Sequence, residues 1–290
     1  MRRLLTAALV GLFLSTSVLA GTGAAQKGKE SVREKVQELK EKKSSLPFDE
    51  ALKALSYTDR AVLLLHQGKK EEALKLIEEA QKSLSAFLKA HPNLQLLPVS
   101  QQIVVMEFSG DVKEAESSIK RAKELLEKGR VQDARLILSG LADEIDVITT
   151  YLPVAMYSQV LSLAKEYIKK GKVDEAMKTL ALVRGSLIVE EVPIPIPFIK
   201  AQRYVDEALK VSGKDRKKAV EYLEAARKEL WLAKVLGYAY DYEELYAQLE
   251  KEIEKAESRI KSGKESSGLL KEIEKKISSL GEKVQSERKK

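Results

Sequence analysis

The side chains suited to chemistry are few and scattered. The chain has two histidines, His66 and His91, and no cysteine. Zinc and copper sites draw on Cys and His, so a transition-metal centre lacks ligands. The same absence excludes disulfides and cysteine nucleophiles. His66 falls at the end of a predicted helix and His91 precedes Pro92, so both read as surface or capping residues, where a helix C-terminus favours imidazolium. Two histidines are too few for a histidine-based pH sensor, which leaves carboxylates to respond at lower pH. The acidic pairs Glu71-Glu72, Glu78-Glu79, Glu190-Glu191 and Glu243-Glu244 could suggest acid-base work. Adjacent helical residues point apart, so these pairs do not converge on one substrate and read as solvated faces. No phosphate-binding glycine loop, dinucleotide fingerprint or nucleophile elbow occurs. The sequence assigns no catalytic, cofactor-binding or metal residue, requires no cofactor, and argues against an enzyme.

Trp231, Tyr238, Tyr240, Tyr242 and Tyr246 form the densest aromatic group. They could line a groove for a peptide or small ligand. They could equally close a joint between a helical hairpin and a long terminal helix, and this reading is favoured because aromatics more often fill cores and joints.

The elements that must position these residues are helical hairpins. A turn of the form Gly-basic-x-x-acidic-Ala recurs as Gly68-Lys69-Lys70-Glu71-Glu72-Ala73, Gly129-Arg130-Val131-Gln132-Asp133-Ala134 and Gly171-Lys172-Val173-Asp174-Glu175-Ala176. A looser fourth copy is Gly213-Lys214-Asp215. Glycine suits the left-handed position past a helix, and acidic residues suit the first turn of the next one. The glycines lie 61 residues apart from Gly68 to Gly129, then 42 apart from Gly129 to Gly171 and from Gly171 to Gly213. The long first interval implies an insertion at 93–109, whose β-branched and apolar residues predict extended structure. The helix after Gly129 is expected to carry Ala134, Ile137, Leu138, Leu141, Ile145 and Ile148. Alternating prolines in 187–198 exclude a helix or a central strand. This segment is expected to lie beside 103–108 as a two-stranded patch. Residues 199–210 and 219–236 form a fourth hairpin. Residues 243–260 resemble a coiled-coil seam, 262–268 a flexible break, and 269–284 a last amphipathic helix with a mobile basic tail at 285–290.

At the N-terminus, Arg2 and Arg3 precede an apolar run from Leu4 to Leu14, with Val18-Leu19-Ala20 as a small-residue exit. This is the form of a cleavable secretory signal, cut after Ala20, with an uncleaved membrane anchor as the alternative; the mature chain is expected in the periplasm. Residues 21–28 read as a flexible exit segment and 30–43 as a short helix carrying Val32, Val36 and Leu39. The formal charge is +7, but basic residues are interspersed with acidic ones and no basic-aromatic cluster occurs, so nucleic acid is not an expected partner. No span in the mature chain is long and apolar enough to cross a membrane.

Two stretches resemble the YfdX family of exported bacterial proteins. One runs from Gly171-Lys172-Val173-Asp174-Glu175-Ala176 through Leu187-Ile188-Val189 to Val192-Pro193-Ile194-Pro195-Ile196-Pro197. The other runs from Leu230-Trp231-Leu232-Ala233 through Gly237-Tyr238 to Tyr242-Glu243-Glu244-Leu245-Tyr246-Ala247-Gln248-Leu249. The resemblance covers about 94–260. It implies a mostly helical, periplasmic, oligomeric protein linked to acid and other envelope stress, with a chaperone-like role and no established reaction.

The expected architecture is therefore mainly α: a bundle or irregular superhelix of helical hairpins with a small extended or two-stranded β patch. A signal peptide occupies 1–20, a linker and short helix 21–46, the hairpin domain 47–260, and a break, helix and tail 261–290. The expected function is non-enzymatic protein binding of the holdase kind. The alternative is an oligomeric scaffold or assembly subunit that uses its terminal helices to associate.

Overall fold

A computed structural model describes residues 23–44, 46, 48–238 and 240–288. The signal-peptide reading, with its cleavage after Ala20, lies outside the described residues. So does Pro47. Among the described residues the chain forms eleven α-helices, one 3-10 turn and three strands, a mainly helical fold with a small β patch.

Helix α1 spans Gly23–Ser44. It starts seven residues before the helix expected at 30–43 and absorbs most of the segment read as a flexible exit. Docking explains the difference. Gly28 lies against Tyr204, so closely that an added Cβ would collide with the Tyr204 hydroxyl. Val32, Val36 and Leu39 face the sheet.

The middle of the chain is one device used three times: a helical hairpin followed by a strand. The first unit is α2 (Phe48–His66), α3 (Lys70–Ala90) and β1 (Leu96–Met106). The second is α4 (Val112–Glu127), α5 (Val131–Ser139) and β2 (Glu144–Pro153). The third is α6 (Val154–Lys169), α7 (Val173–Gly185) and β3 (Ile188–Pro195). Each hairpin turns at its expected glycine, with φ of +75° at Gly68, +72° at Gly129 and +74° at Gly171. Gly213 does not share this geometry; the other left-handed glycines are Gly237 and Gly263. Space is open around both Gly171 and Gly213, so backbone strain alone separates them. Gly171→Ala is expected to cost about 1 kcal/mol, and Gly213→Ala to change stability by less than about 0.5 kcal/mol. Paired thermal melts check the contrast.

Three expectations need correction. The residues from Ile145 onward are not a helix tail: α5 stops at Ser139 and β2 follows. The β-branched run Ile145, Val147, Ile148, Thr149, Thr150 favours a strand once the chain has turned past Gly140. Nor do 187–198 and 103–108 pair with each other. The sheet has three strands in the order β1-β2-β3, both pairings antiparallel, with β2 between the two segments. β1 is consequently no insertion, since it is the counterpart of β2 and β3. The long first interval comes from α3, with 21 residues against 9 in α5 and 13 in α7, and from the connections on either side of β1, since β2 and β3 run straight into the next helix.

β3 holds Pro193 and Pro195 and is an edge strand, as proline requires. The prolines at the ends of β2 and β3 lead straight into α6 and α8. One sheet face, with Ile103, Ile145 and Ile194, packs on α1 and on Ile196 and Ile199 at the start of α8.

Two main cores result. The first joins α2, α3, α6 and α7 to the Leu97–Leu152 end of the sheet. Tyr157 is fully buried there; its hydroxyl donates to the Ala54 carbonyl at 2.7 Å and contacts Thr58 Oγ1. The second joins α8 (Ile196–Val211), α9 (Arg216–Val235), α10 (Glu243–Lys261) and α11 (Ser267–Glu287). Leu270, Ile273, Ile277, Leu280 and Val284 of α11 are all buried in it. The expected mobile tail is instead helical to Glu287, and Arg288 donates from Nη2 to the Gly237 carbonyl at 2.6 Å.

Candidate functional site

The aromatic group divides between core and surface. Tyr238 and Tyr246 are buried in the core around α9, α10 and α11. Trp231 is 39% exposed and Tyr240 78% exposed. Tyr242 is half-buried against that core, its hydroxyl donating to Glu287. Each ring except Tyr240 has a cation nearby: Lys234 lies 5.6 Å from the Trp231 ring and 5.5 Å from that of Tyr246, Lys283 5.9 Å from Tyr242, and Arg288 4.7 Å from Tyr238. Tyr240, Tyr242, Leu245 and Lys283 border an open hollow. Tyr238 and Tyr246 therefore make a joint, and Tyr240 and Tyr242 make a rim.

Tyr238 also leads to a polar cluster at the centre of the fold. Its hydroxyl accepts from the Asp143 backbone N–H at 3.0 Å. Asp143, just before β2, is fully buried. Its Oδ1 accepts from the Phe108 N–H at 3.3 Å, while Oδ2 has no hydrogen-bond partner. Glu229 of α9 is partly exposed as a residue, yet its Oε2 is buried and without a partner. Lys200 of α8 lies between them, its side chain 12% exposed, and bonds Glu107 at 3.0 Å. Glu107 follows β1 and Glu144 opens β2.

The electrostatics follow from this burial. Desolvation pushes the Asp143 carboxyl up to about 6, against the pull of Lys200 and the Phe108 N–H; Glu107 and Glu144 push the same way as burial. Desolvation pushes Glu229 up to about 7, again opposed by Lys200 and helped by Asp143 and Glu107. The Lys200 ammonium is held above its usual range by Glu229, Asp143 and Glu107 in spite of burial. One cation thus serves three carboxyls, two of them proton-binding near neutrality. Tyr204 and Tyr238 are both raised by burial and stay neutral. This cluster can take up protons.

The cluster was not read from the sequence, although a signal existed. Glu229 stands three residues after buried Ala226 and four before buried Ala233, on the core face of α9. Lys200 stands four before buried Tyr204 on α8. Charges at core positions of an amphipathic helix were the mark.

The other candidates stay apart. Glu71, Glu72, Glu78, Glu79, Glu243 and Glu244 are exposed, and Glu78 pairs with Lys165 at 2.7 Å. Glu190 accepts from the Tyr151 hydroxyl at 3.2 Å. His66 ends α2 and His91 caps α3, its ring 4.6 Å from that of Phe87. Among the described residues no three His, Asp or Glu side chains gather as a metal site, and no helix is long and apolar enough to cross a membrane.

The three hairpin-strand units coincide with a family match. The model of the YfdX protein family matches residues 54–193. This region belongs to the YfdX family. It begins in α2 and ends in β3, so the YfdX region holds almost all of the three repeated units. It starts earlier than the resemblance at 94–260 and stops before the Trp231–Tyr246 stretch. Asp143 and Glu107 lie inside it; Lys200 and Glu229 come from the helices that follow. The chain is also similar to a solved structure of Salmonella Typhi YfdX, with 15% identity over 51% of this chain and 91% of that one and a TM-score of 0.34. No curated protein matches the chain.

Proposed function

We propose that this chain is a non-enzymatic, periplasmic, stress-associated protein that holds unfolded segments of other proteins. The observation carrying this reading is the surface of the α4–α5 hairpin. Leu126, Val131, Leu136 and Leu138 are all exposed there, Leu136 by 75%. Single exposed aliphatics are ordinary, but four on one short hairpin of a chain that is 33% charged offer apolar contacts on more than one side of it. The hairpin packs on α9 through α4, in a small apolar cluster of its own around Ala115, Leu141 and Leu232. The secretory form of residues 1–20 and the YfdX resemblance support the compartment and the stress role. In this reading the partners are unfolded clients and further copies of the chain.

Aggregation of a model client, followed by light scattering at neutral and acid pH, tests the proposal. Suppression at or below equal stoichiometry is expected. Unchanged aggregation at both pH values removes the holdase reading.

A further inference from the structure

The two edges of the sheet differ in kind. β3 is built as an edge: Pro193 and Pro195 offer no N–H to a further strand, Glu190 and Glu191 add charge, and α11 packs against it. These are the devices that blunt an edge against unwanted pairing. β1 lacks the charges, and its one proline, Pro98, lies at the bulge between Pro98 and Ser100; α2 packs on its buried Leu97–Val99 end and α1 on the face that holds Ile103. No Asp, Glu, Lys or Arg occurs from 91 to 106, so this edge strand has the composition of the central strand β2, which carries no charge from 147 to 153.

Leu97, Pro98 and Val99 of β1 are buried in the first core. From Ser100 to Met106 the strand pairs with β2 on one side. Among the described residues no other backbone hydrogen bond reaches these positions. Val104 is 38% exposed and Val105 44% exposed. The result is an uncharged, β-branched strand with one row of backbone donors and acceptors unpaired.

We infer that the 100–106 edge of β1 pairs antiparallel with the same edge of a second copy, giving a continuous six-stranded sheet across a two-fold axis near Ile103. The inference rests on the self-association proposed above and names its surface. Self-pairing suits this edge because every residue would face an uncharged one, with Ile103 opposite Ile103, Val104 opposite Gln102 and Val105 opposite Gln101. The β3 edge would instead set glutamate near glutamate. One open edge and one blocked edge per chain close the assembly at two copies and prevent a filament. A single strand pair buries less than the roughly 1,200 Å² of standard interfaces, so dissociation on the order of 10 μM is expected.

Sedimentation velocity of the mature chain across a concentration series tests this. A concentration-dependent dimer is expected, with Val104→Lys monomeric and its far-UV circular dichroism unchanged. A second reading uses the chain's lack of cysteine. Gln102→Cys should be cross-linked to a dimer by a short bis-maleimide, whereas Leu136→Cys should not; this decides the matter if Val104→Lys fails to fold. A monomer at all concentrations up to about ten times that dissociation constant overturns both the self-association and its surface. An oligomer that persists in Val104→Lys, or in which Gln102→Cys does not cross-link, overturns the β1 surface alone. Client protection in the light-scattering assay reads the holdase function separately.

Discussion

Replacing Lys200 with methionine is expected to lower stability by about 3–5 kcal/mol at pH 8 and by far less at pH 5. Methionine keeps most of the side-chain volume, so the change is chiefly electrostatic. At pH 8 it leaves Asp143 and Glu229 with no cation, and removing one partner from a buried charge set carries a cost of this size. At pH 5 both carboxyls hold their protons and need no counter-charge.

The native chain has its own pH dependence for the same reason. Asp143 rises from an ordinary 3.8 to about 6, and Glu229 from 4.5 to about 7. Each carboxyl binds its proton more tightly folded than unfolded, so folding takes up protons in those intervals. The linked stabilisation is complete below the unfolded values and is lost as pH rises through about 6 and about 7. Two or so pKa units correspond to about 3 kcal/mol for one group; the two share Lys200, so their joint effect is less than twice that. Surface carboxylates such as Glu38 and Glu78, held below the usual range by lysines, work in the opposite sense, but their window lies below about pH 4.5. Melting temperature should therefore rise by about 5 °C from pH 8 to pH 5. Glu229→Gln should flatten that rise and gain its stability at pH 8. A melting temperature that falls on acidification would contradict the placement of these carboxyls.

Deleting 267–290 is expected to abolish folding of the 196–266 region rather than release an arm. Leu270, Ile273, Ile277, Leu280 and Val284 are each buried at 2% exposure or less against the helices of that core. Burying such side chains is worth about 1.5–3 kcal/mol apiece. Their joint loss, about 10 kcal/mol, rivals the whole stability of a typical domain. Limited proteolysis and circular dichroism of the truncated chain should show an open C-terminal half. A truncated chain with native helicity and protection would contradict this. The apolar stripe of α11 is spent inside the chain and is not free for association.

The hairpin turns were legible because a left-handed glycine between a helix end and an acidic first turn leaves a local mark. The edge character of β3 was legible from its prolines. β2 was not. Ile137, Leu138, Leu141, Ile145 and Ile148 keep helical spacing across a real break, and the buried Asp143 at that break has no local signature. The polar cluster was hidden for a related reason. Glu107, Asp143, Lys200 and Glu229 come from four distant segments, and only the sheet order brings them together. The aromatic group was legible as a joint in Tyr238 and Tyr246; the exposure of Tyr240 follows from the turn after Gly237 (φ +81°), which periodicity does not predict.

The central functional claim is that the exposed aliphatics of α4–α5 hold unfolded chains. Fluorescence anisotropy of a labelled, permanently unfolded client segment, titrated with the native chain and with Leu136→Lys, tests it most directly. Leu136 is a surface position, so the substitution should leave stability within about 0.5 kcal/mol. The prediction is saturable binding by the native chain, weakened about tenfold in the variant, as loss of about 1.4 kcal/mol would give. Equal binding by both, or none by either, would contradict it.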